Sequence, residues 1–322
     1  MLTKSEIEAA AALVYRHMPA TPQYAWPMLT QALGVETWVK HENHGPTGAF
    51  KARGGVTFID WLKRAHPEAR GIITATRGNH GQSQARAARA AGLEAHIYVP
   101  RGNSGEKNAA MQAFGGHLTE FGDDFDEARL EAMRVGELEG WHPVPPFHLE
   151  LVRGVATYAY ELLSAAPHLD TVYVPIGCGS GICGTILARN ALRLKTKVVG
   201  VVADGAQAAK LSVAAGKLVE TGPTQTFADG MAVRVPVAEA YEIYASGAER
   251  IVSVSDAEIA AAMQLLYRCT HNVAEGAGAA AMAALMQERA QMQGKAVAVI
   301  LSGGNIDTGM FAEVLSGGVP KA

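Results

Sequence analysis

Cysteine is scarce: Cys178, Cys183 and Cys269 are the only three in 322 residues, and none forms a C-x-x-C pair. Three isolated thiols make neither a disulfide framework nor a zinc pattern, and they fit a reducing cytoplasm. Charge is sparse as well. Charged residues are 18% of the chain, the formal net charge is −3, and Lys and Arg are scattered. That distribution offers no basic face to nucleic acid or to an anionic membrane. Long apolar runs are missing: residues 198–203 and 296–301 are strand-sized and far too short to span a bilayer. The N-terminus carries acids early and no apolar h-region, so no secretory signal is expected. The 11 histidines are dispersed, with no pair at ligand spacing beside a carboxylate, and no metal site is expected.

What remains is 48% apolar residues with 35 Gly and 14 Pro, the composition of a compact α/β enzyme. A chain of this length buries a large core and favours two lobes over one. Thr3 and Glu6 form a capping box before an Ala-rich helix over 7–17, and Pro19, Pro22 and Pro27 interrupt the stretch after it. A strand over 37–41 runs into a Gly/Pro turn, then a helix over 54–64. Between 71 and 139 the pattern is strand 71–75, helix 82–91, strand 95–100, helix 106–113, strand 117–121 and helix 125–139. Short Gly-marked joints between such elements mean parallel βαβ units. They predict a small domain over 67–147 inserted in a larger one made of 1–66 and 148–322. The larger part continues with helix 151–164, strand 171–176, a glycine loop opening helix 185–194, and strand 197–203. Helix 206–215, an irregular stretch 224–235, strand 251–254, helix 256–270 capped by Ser255, helix 275–293 and strand 296–301 complete it. The fold class is therefore α/β, a two-lobed open parallel-sheet architecture.

Four stretches carry chemistry. In Thr47-Gly48-Ala49-Phe50-Lys51-Ala52-Arg53-Gly54 a turn delivers one lysine, beside an aromatic ring, to a helix start. An amine held at a cavity edge acquires a lowered pKa and forms Schiff bases. Gly177-Cys178-Gly179-Ser180-Gly181-Ile182-Cys183-Gly184 lies between a strand and a helix, so its backbone N–H groups and the helix dipole suit a phosphate. The same loop satisfies G-x-G-x-x-G with Asp204 downstream, which leaves open a nicotinamide dehydrogenase. Gly78-Asn79-His80-Gly81 sits at another strand-to-helix junction and suits a small anion such as a carboxylate. Ser302 places a hydroxyl at the carboxyl end of a strand, where ligand crevices of open sheets lie.

In this order the four stretches resemble the pyridoxal-phosphate enzymes of the threonine dehydratase and serine racemase type, the tryptophan-synthase β-like or fold-type II group. Ala228-Asp229-Gly230-Met231 and Glu275-Gly276-Ala277-Gly278 extend the resemblance over nearly the whole chain. It implies that pyridoxal 5'-phosphate is the cofactor, that Lys51 carries it as a Schiff base, and that Phe50 packs against its ring. Gly177, Cys178, Gly179, Ser180 and Gly181 would hold its phosphate, Asn79 its phenol oxygen and Ser302 its pyridine nitrogen. Thr76, Gly78, Asn79 and His80 would form the substrate carboxylate pocket. The implied activity is β-elimination from a small β-hydroxy-α-amino acid such as threonine or serine, giving a 2-keto acid and ammonia. Racemisation is the alternative within the fold, and a homodimer is the implied assembly.

Three departures bear on the substrate. Arg77 stands where the family has a small residue, the serine that acts as second acid/base in the racemases. A guanidinium there either pairs with substrate or points into solvent. His148 and Arg153 lie in a segment that departs from the family pattern bordering the substrate side chain, so His148 is a candidate substrate contact. Val202 matches the glutamate of the family's cation site, leaving Asp204 as an isolated carboxylate.

Overall fold

The computed structural model describes residues 2–321. The chain opens with α1 (Lys4–Val14), β1 (Gln23–Ala25), α2 (Pro27–Leu33), β2 (Glu36–His41) and α3 (Lys51–Ala65). Next come β3 (Gly71–Ala75), α4 (Asn79–Ala90), β4 (Glu94–Val99), α5 (Gly105–Ala113), β5 (His117–Glu120), α6 (Phe125–Glu139) and β6 (His142–Pro143). The third stretch is α7 (Leu149–Ala165), β7 (Thr171–Pro175), α8 (Ser180–Ala191), β8 (Lys197–Ala203) and α9 (Ala208–Ala215). It ends with α10 (Ala238–Gly247), β9 (Arg250–Val254), α11 (Asp256–Thr270), α12 (Gly276–Glu288), β10 (Ala296–Leu301) and α13 (Thr308–Leu315).

Two sheets result. The larger has the order β1-β2-β10-β7-β8-β9, and the smaller β5-β4-β3-β6. All pairings are parallel except β1 with β2, which is antiparallel. The open parallel-sheet architecture read from the sequence is present, with one antiparallel pairing at its edge. The three residues of β1 lie among prolines and carry no strand pattern of their own; β2 supplies the pairing.

Burial follows the strand period. In β10, Val297, Val299 and Leu301 enter the core shared with α11 and α12, whereas Ala298 and Ile300 face the core built by α7 and α8. A strand covered on both faces reads as a continuous apolar run, and this one does. In the small sheet Ile72, Ile97 and Val99 pack with Ala85 and Ala88 of α4 and with Phe58 and Leu62 of α3. Ile73 and Tyr98 meet Ala128 and Ala132 of α6 on the other face. Helix α3 thus touches both layers, and Lys51 is its first residue.

Helix α8 begins at Ser180, within the glycine stretch expected to be a loop, because its packing on α7 outweighs the low helix propensity of Gly181 and Gly184. Among the described residues no helix is long and apolar enough to cross a membrane. No group of three or more His, Cys, Asp or Glu among them is placed to hold a metal ion.

Beneath the start of α3 lies a buried ion network. Arg53 donates to Glu42 at 2.8 Å and 3.0 Å and to Glu161 at 2.6 Å and 2.9 Å. Lys40 reaches Glu161 at 2.5 Å and the Thr21 carbonyl at 2.9 Å. Arg53 and Lys40 are fully buried, so each charge depends on these partners. The network joins β2, α3 and α7 and fixes the entry of α3.

Candidate active site

The Lys51 turn is stitched to the end of β10. Phe50 N–H donates to the Ser302 carbonyl at 3.0 Å, Gly304 N–H to the Gly48 carbonyl at 2.9 Å, and Ala49 bridges Gly303. Ser83 of α4 donates its hydroxyl to the Lys51 carbonyl at 2.5 Å. The amine itself lies 5.0 Å from the Phe50 ring centroid. Burial holds it below the ordinary lysine range, opposed by Cys178 and Glu275. The structure therefore brings Lys51, Phe50, Cys178 and Ser302 to one place.

Between β7 and α8 the backbone N–H groups of residues 177–182 meet no protein acceptor among the described residues. Gly179 adopts φ 100°, and a Cβ on Gly177 would come within 2.2 Å of the Gly230 carbonyl oxygen. The loop is therefore pressed against the 228–231 segment, with its donors and the α8 dipole left for an anion. Such a cradle, with the amine of Lys51 near it, fits a phosphorylated aldehyde.

Asn79, first residue of α4, is held at both ends of its amide. It donates to Glu275 at 2.7 Å and accepts from Asn305 at 2.7 Å, and Asn305 also donates to the Thr47 carbonyl at 2.7 Å. Thr76 accepts the Gly78 N–H at 3.1 Å, shaping the turn before α4. His80 is buried, and burial with the nearby Lys51 charge pushes it down to about 3, so its ring is neutral.

Glu275 also belongs to the site, a role that its motif alone does not reveal. Its Oε2 is buried with no partner. Burial, then Asp229, push it up to about 7 against the opposing pull of Lys107, Asn79 and Lys51. Lys107 of α5, also unforeseen, pairs with Asp229. Near it Ser104 donates to Asp307, and Glu106 accepts the Thr308 N–H at 2.9 Å, so α5 is clasped to the 229 and 307 segments. These pairings join residues far apart in sequence, which no local pattern announces.

A carboxyl raised above its usual range adds stability in its neutral form. That contribution is full below about 4.5 and is lost as pH rises through about 7. Glu275→Gln is expected to flatten the stability profile across this window, measured by denaturant unfolding at each pH; an unaltered slope would place the titration elsewhere.

Arg77 is exposed and lines a cavity of about 370 Å³ with Lys107, Asp229, Glu275 and Asn305. His148 does not join this group. Its Nδ1 accepts the Glu150 N–H at 3.1 Å as the cap of α7, and its ring centroid lies 5.2 Å from Phe58 and 4.8 Å from Trp61. Those residues stand roughly 10–15 Å along α3 from Lys51 at 1.5 Å per residue. The reading of His148 as a substrate contact is therefore corrected to a helix cap in an aromatic cluster. Arg153 is turned to Glu150 at 3.5 Å.

A lysine at a helix start, facing a glycine-rich anion cradle across the carboxyl ends of a mostly parallel sheet, defines a cofactor-dependent α/β enzyme. The family model described as pyridoxal-phosphate dependent enzyme matches residues 14–303. The chain belongs to that family, and pyridoxal 5'-phosphate is its cofactor. It is 32% identical over 323 residues to an L-threonine ammonia-lyase of Thermotoga maritima, covering 100% of this chain and 80% of that one. To the L-threo-3-hydroxyaspartate ammonia-lyase of Saccharomyces cerevisiae it is 28% identical over 316 residues, covering 98% and 97%. The solved structure of maize serine racemase superposes with a TM-score of 0.90 at 27% identity, covering 98% of this chain and 97% of that one. As an enzyme the chain stands with the ammonia-lyases and dehydratases of the family. The nicotinamide alternative is set aside, and Asp204 is an exposed residue after β8.

Proposed function

We propose that the chain is a β-eliminating ammonia-lyase that converts a β-hydroxy-α-amino acid to a 2-keto acid and ammonia. The observation that carries this reading is the Lys51 amine, kept low in pKa, tied through its turn to Ser302 and set beside the free N–H groups of residues 177–182. Bound pyridoxal phosphate supplies an electron sink for bond cleavage at the substrate α-carbon. The remaining work falls to this chain. Lys51 anchors the cofactor and, released by substrate, takes the α-proton as base. The N–H groups from Gly177 through Gly181 would hold the phosphate, Phe50 would border the ring, and the amide of Asn79 would orient the phenol oxygen. Ser302 would offer a neutral hydroxyl, where a carboxylate would instead favour protonation, to the ring nitrogen of the bound cofactor. The turn at Thr76 and Gly78 and the first N–H groups of α4, at Asn79 and His80, suit the substrate carboxylate.

The two sheets support a division into a domain over 1–66 and 148–322 and an inserted one over 67–147, with the site between their strand ends. Elimination is preferred to racemisation because Arg77 stands where, by the resemblance, the racemases carry the serine that serves as second acid/base, and an arginine lacks that hydroxyl. Holoenzyme given L-serine, L-threonine and 3-hydroxyaspartate is expected to release keto acid and ammonia in equal amounts from at least one. Inversion at Cα with no ammonia would overturn the proposal in favour of a racemase.

A further inference from the structure

Arg77 takes no part in the elimination chemistry above, and its surroundings give it a task. The acids lining its cavity already hold donors: Asp229 pairs with Lys107, Asp123 with Arg101 at 3.0 Å, Asp307 with Ser104, and Glu275 with Asn79 at 2.7 Å. None is paired with Arg77, which makes no hydrogen bond or ion pair with any described residue. It sits one residue before Gly78, at the loop where the N–H groups of Asn79 and His80 meet no protein acceptor among the described residues. A Cβ on Gly78 would come within 2.9 Å of Lys107 Cδ, so the stem of Lys107 lies over that glycine and borders the loop with a second cation. Lys107 is neutralised by Asp229, so Arg77 is the cation left without a partner at this loop. An arginine fork matches a carboxylate through two parallel hydrogen bonds, and its affinity rises where water is excluded.

We propose that Arg77 is a specificity-determining residue that holds a second carboxylate on the substrate side chain. The preferred substrate is then a β-hydroxy-α-amino dicarboxylic acid rather than serine or threonine. This inference rests on the β-elimination reading for its kinetic test. The 370 Å³ cavity beside the loop has room for the longer side chain.

The test uses holoenzyme and its Arg77→Ser and Arg77→Lys variants with L-serine, L-threonine and both diastereomers of L-3-hydroxyaspartate. Wild type is expected to favour one hydroxyaspartate over serine by about 100-fold in kcat/KM, and Arg77→Ser to remove most of that preference, chiefly through KM. Arg77→Lys is expected to keep part of it, since charge remains while the fork is lost. L-Aspartate, which lacks the leaving group, reports binding alone through the visible absorption of the cofactor. Its half-saturation is expected to rise at least tenfold in Arg77→Ser, with alanine as the monocarboxylate control. A wild-type preference for serine or threonine, or equal losses for all substrates in Arg77→Ser, overturns the inference and leaves β-elimination standing. Failure to release ammonia from any of the four overturns β-elimination instead, and the aspartate titration then decides the role of Arg77 independently.

Discussion

Lys51→Ala is expected to lower turnover by on the order of 10³-fold or more, because one side chain both anchors the cofactor and serves as base. The effect should be chemical and not a collapse of the fold. The links that hold the turn, from Phe50 N–H to Ser302 and from Ser83 to the Lys51 carbonyl, run through backbone atoms that alanine keeps. Two measurements check it: keto-acid release by the purified variant, and borohydride fixation of the cofactor followed by peptide mapping. Fixation on Lys107 in wild type would overturn the assignment. That outcome is disfavoured by electrostatics: burial lowers Lys107, but Asp229, Glu275 and Asp307 together outweigh it and hold the amine above the ordinary lysine range, whereas burial holds Lys51 below it. Lys51 is the readier of the two to attack a carbonyl.

Glu161→Ala is expected to cost about 3–5 kcal/mol of stability, the range for removing one partner of a buried ion pair. The loss removes a carboxylate shared by two cations and strands one of them. Arg53 keeps Glu42, but Lys40 retains only the Thr21 carbonyl and the Gln23 amide, at 2.9 Å and 3.2 Å. Burial already lowers Lys40, so in the variant it is expected to shed its proton rather than stay charged. Because Arg53 lies two residues after Lys51, cofactor content should fall along with the denaturant midpoint. A loss below about 1 kcal/mol would show that the network stabilises no more than an exposed pair does.

Much of the fold was legible where local signals agree. The strands Gly71–Ala75, Lys197–Ala203 and Ala296–Leu301 and the helices Phe125–Glu139 and Asp256–Thr270 stand where apolar runs and caps put them, Ser255 with its capping box included. The misses have one cause: structure imposed by distant partners. β1 exists because β2 pairs with it, and α10 because Ala240 and Tyr244 pack into the core of α7 and α8, with no side chain capping its start. The same holds in the site. Glycine punctuation and a single lysine made the loop at 177–184 and the Lys51 turn readable as a candidate cradle. Glu275, Lys107 and the partners of Arg53 were not, because each acts through a contact that sequence spacing does not encode. His148 shows the reverse error, a residue placed by resemblance that geometry uses to cap α7.

The position of β10 has a consequence for the order of events during synthesis. Of the strands described it is made after all the others, yet it lies between β2 and β7 in the middle of the large sheet, and its end supplies the backbone partner of the Lys51 turn. A ribosome-bound chain lacking it has its reactive lysine exposed on an unfinished surface, with β2 and β7 unpaired along facing edges. Capture of the cofactor therefore waits for the C-terminal strand to leave the exit tunnel, and a nascent chain stalled before residue 296 should remain free of it.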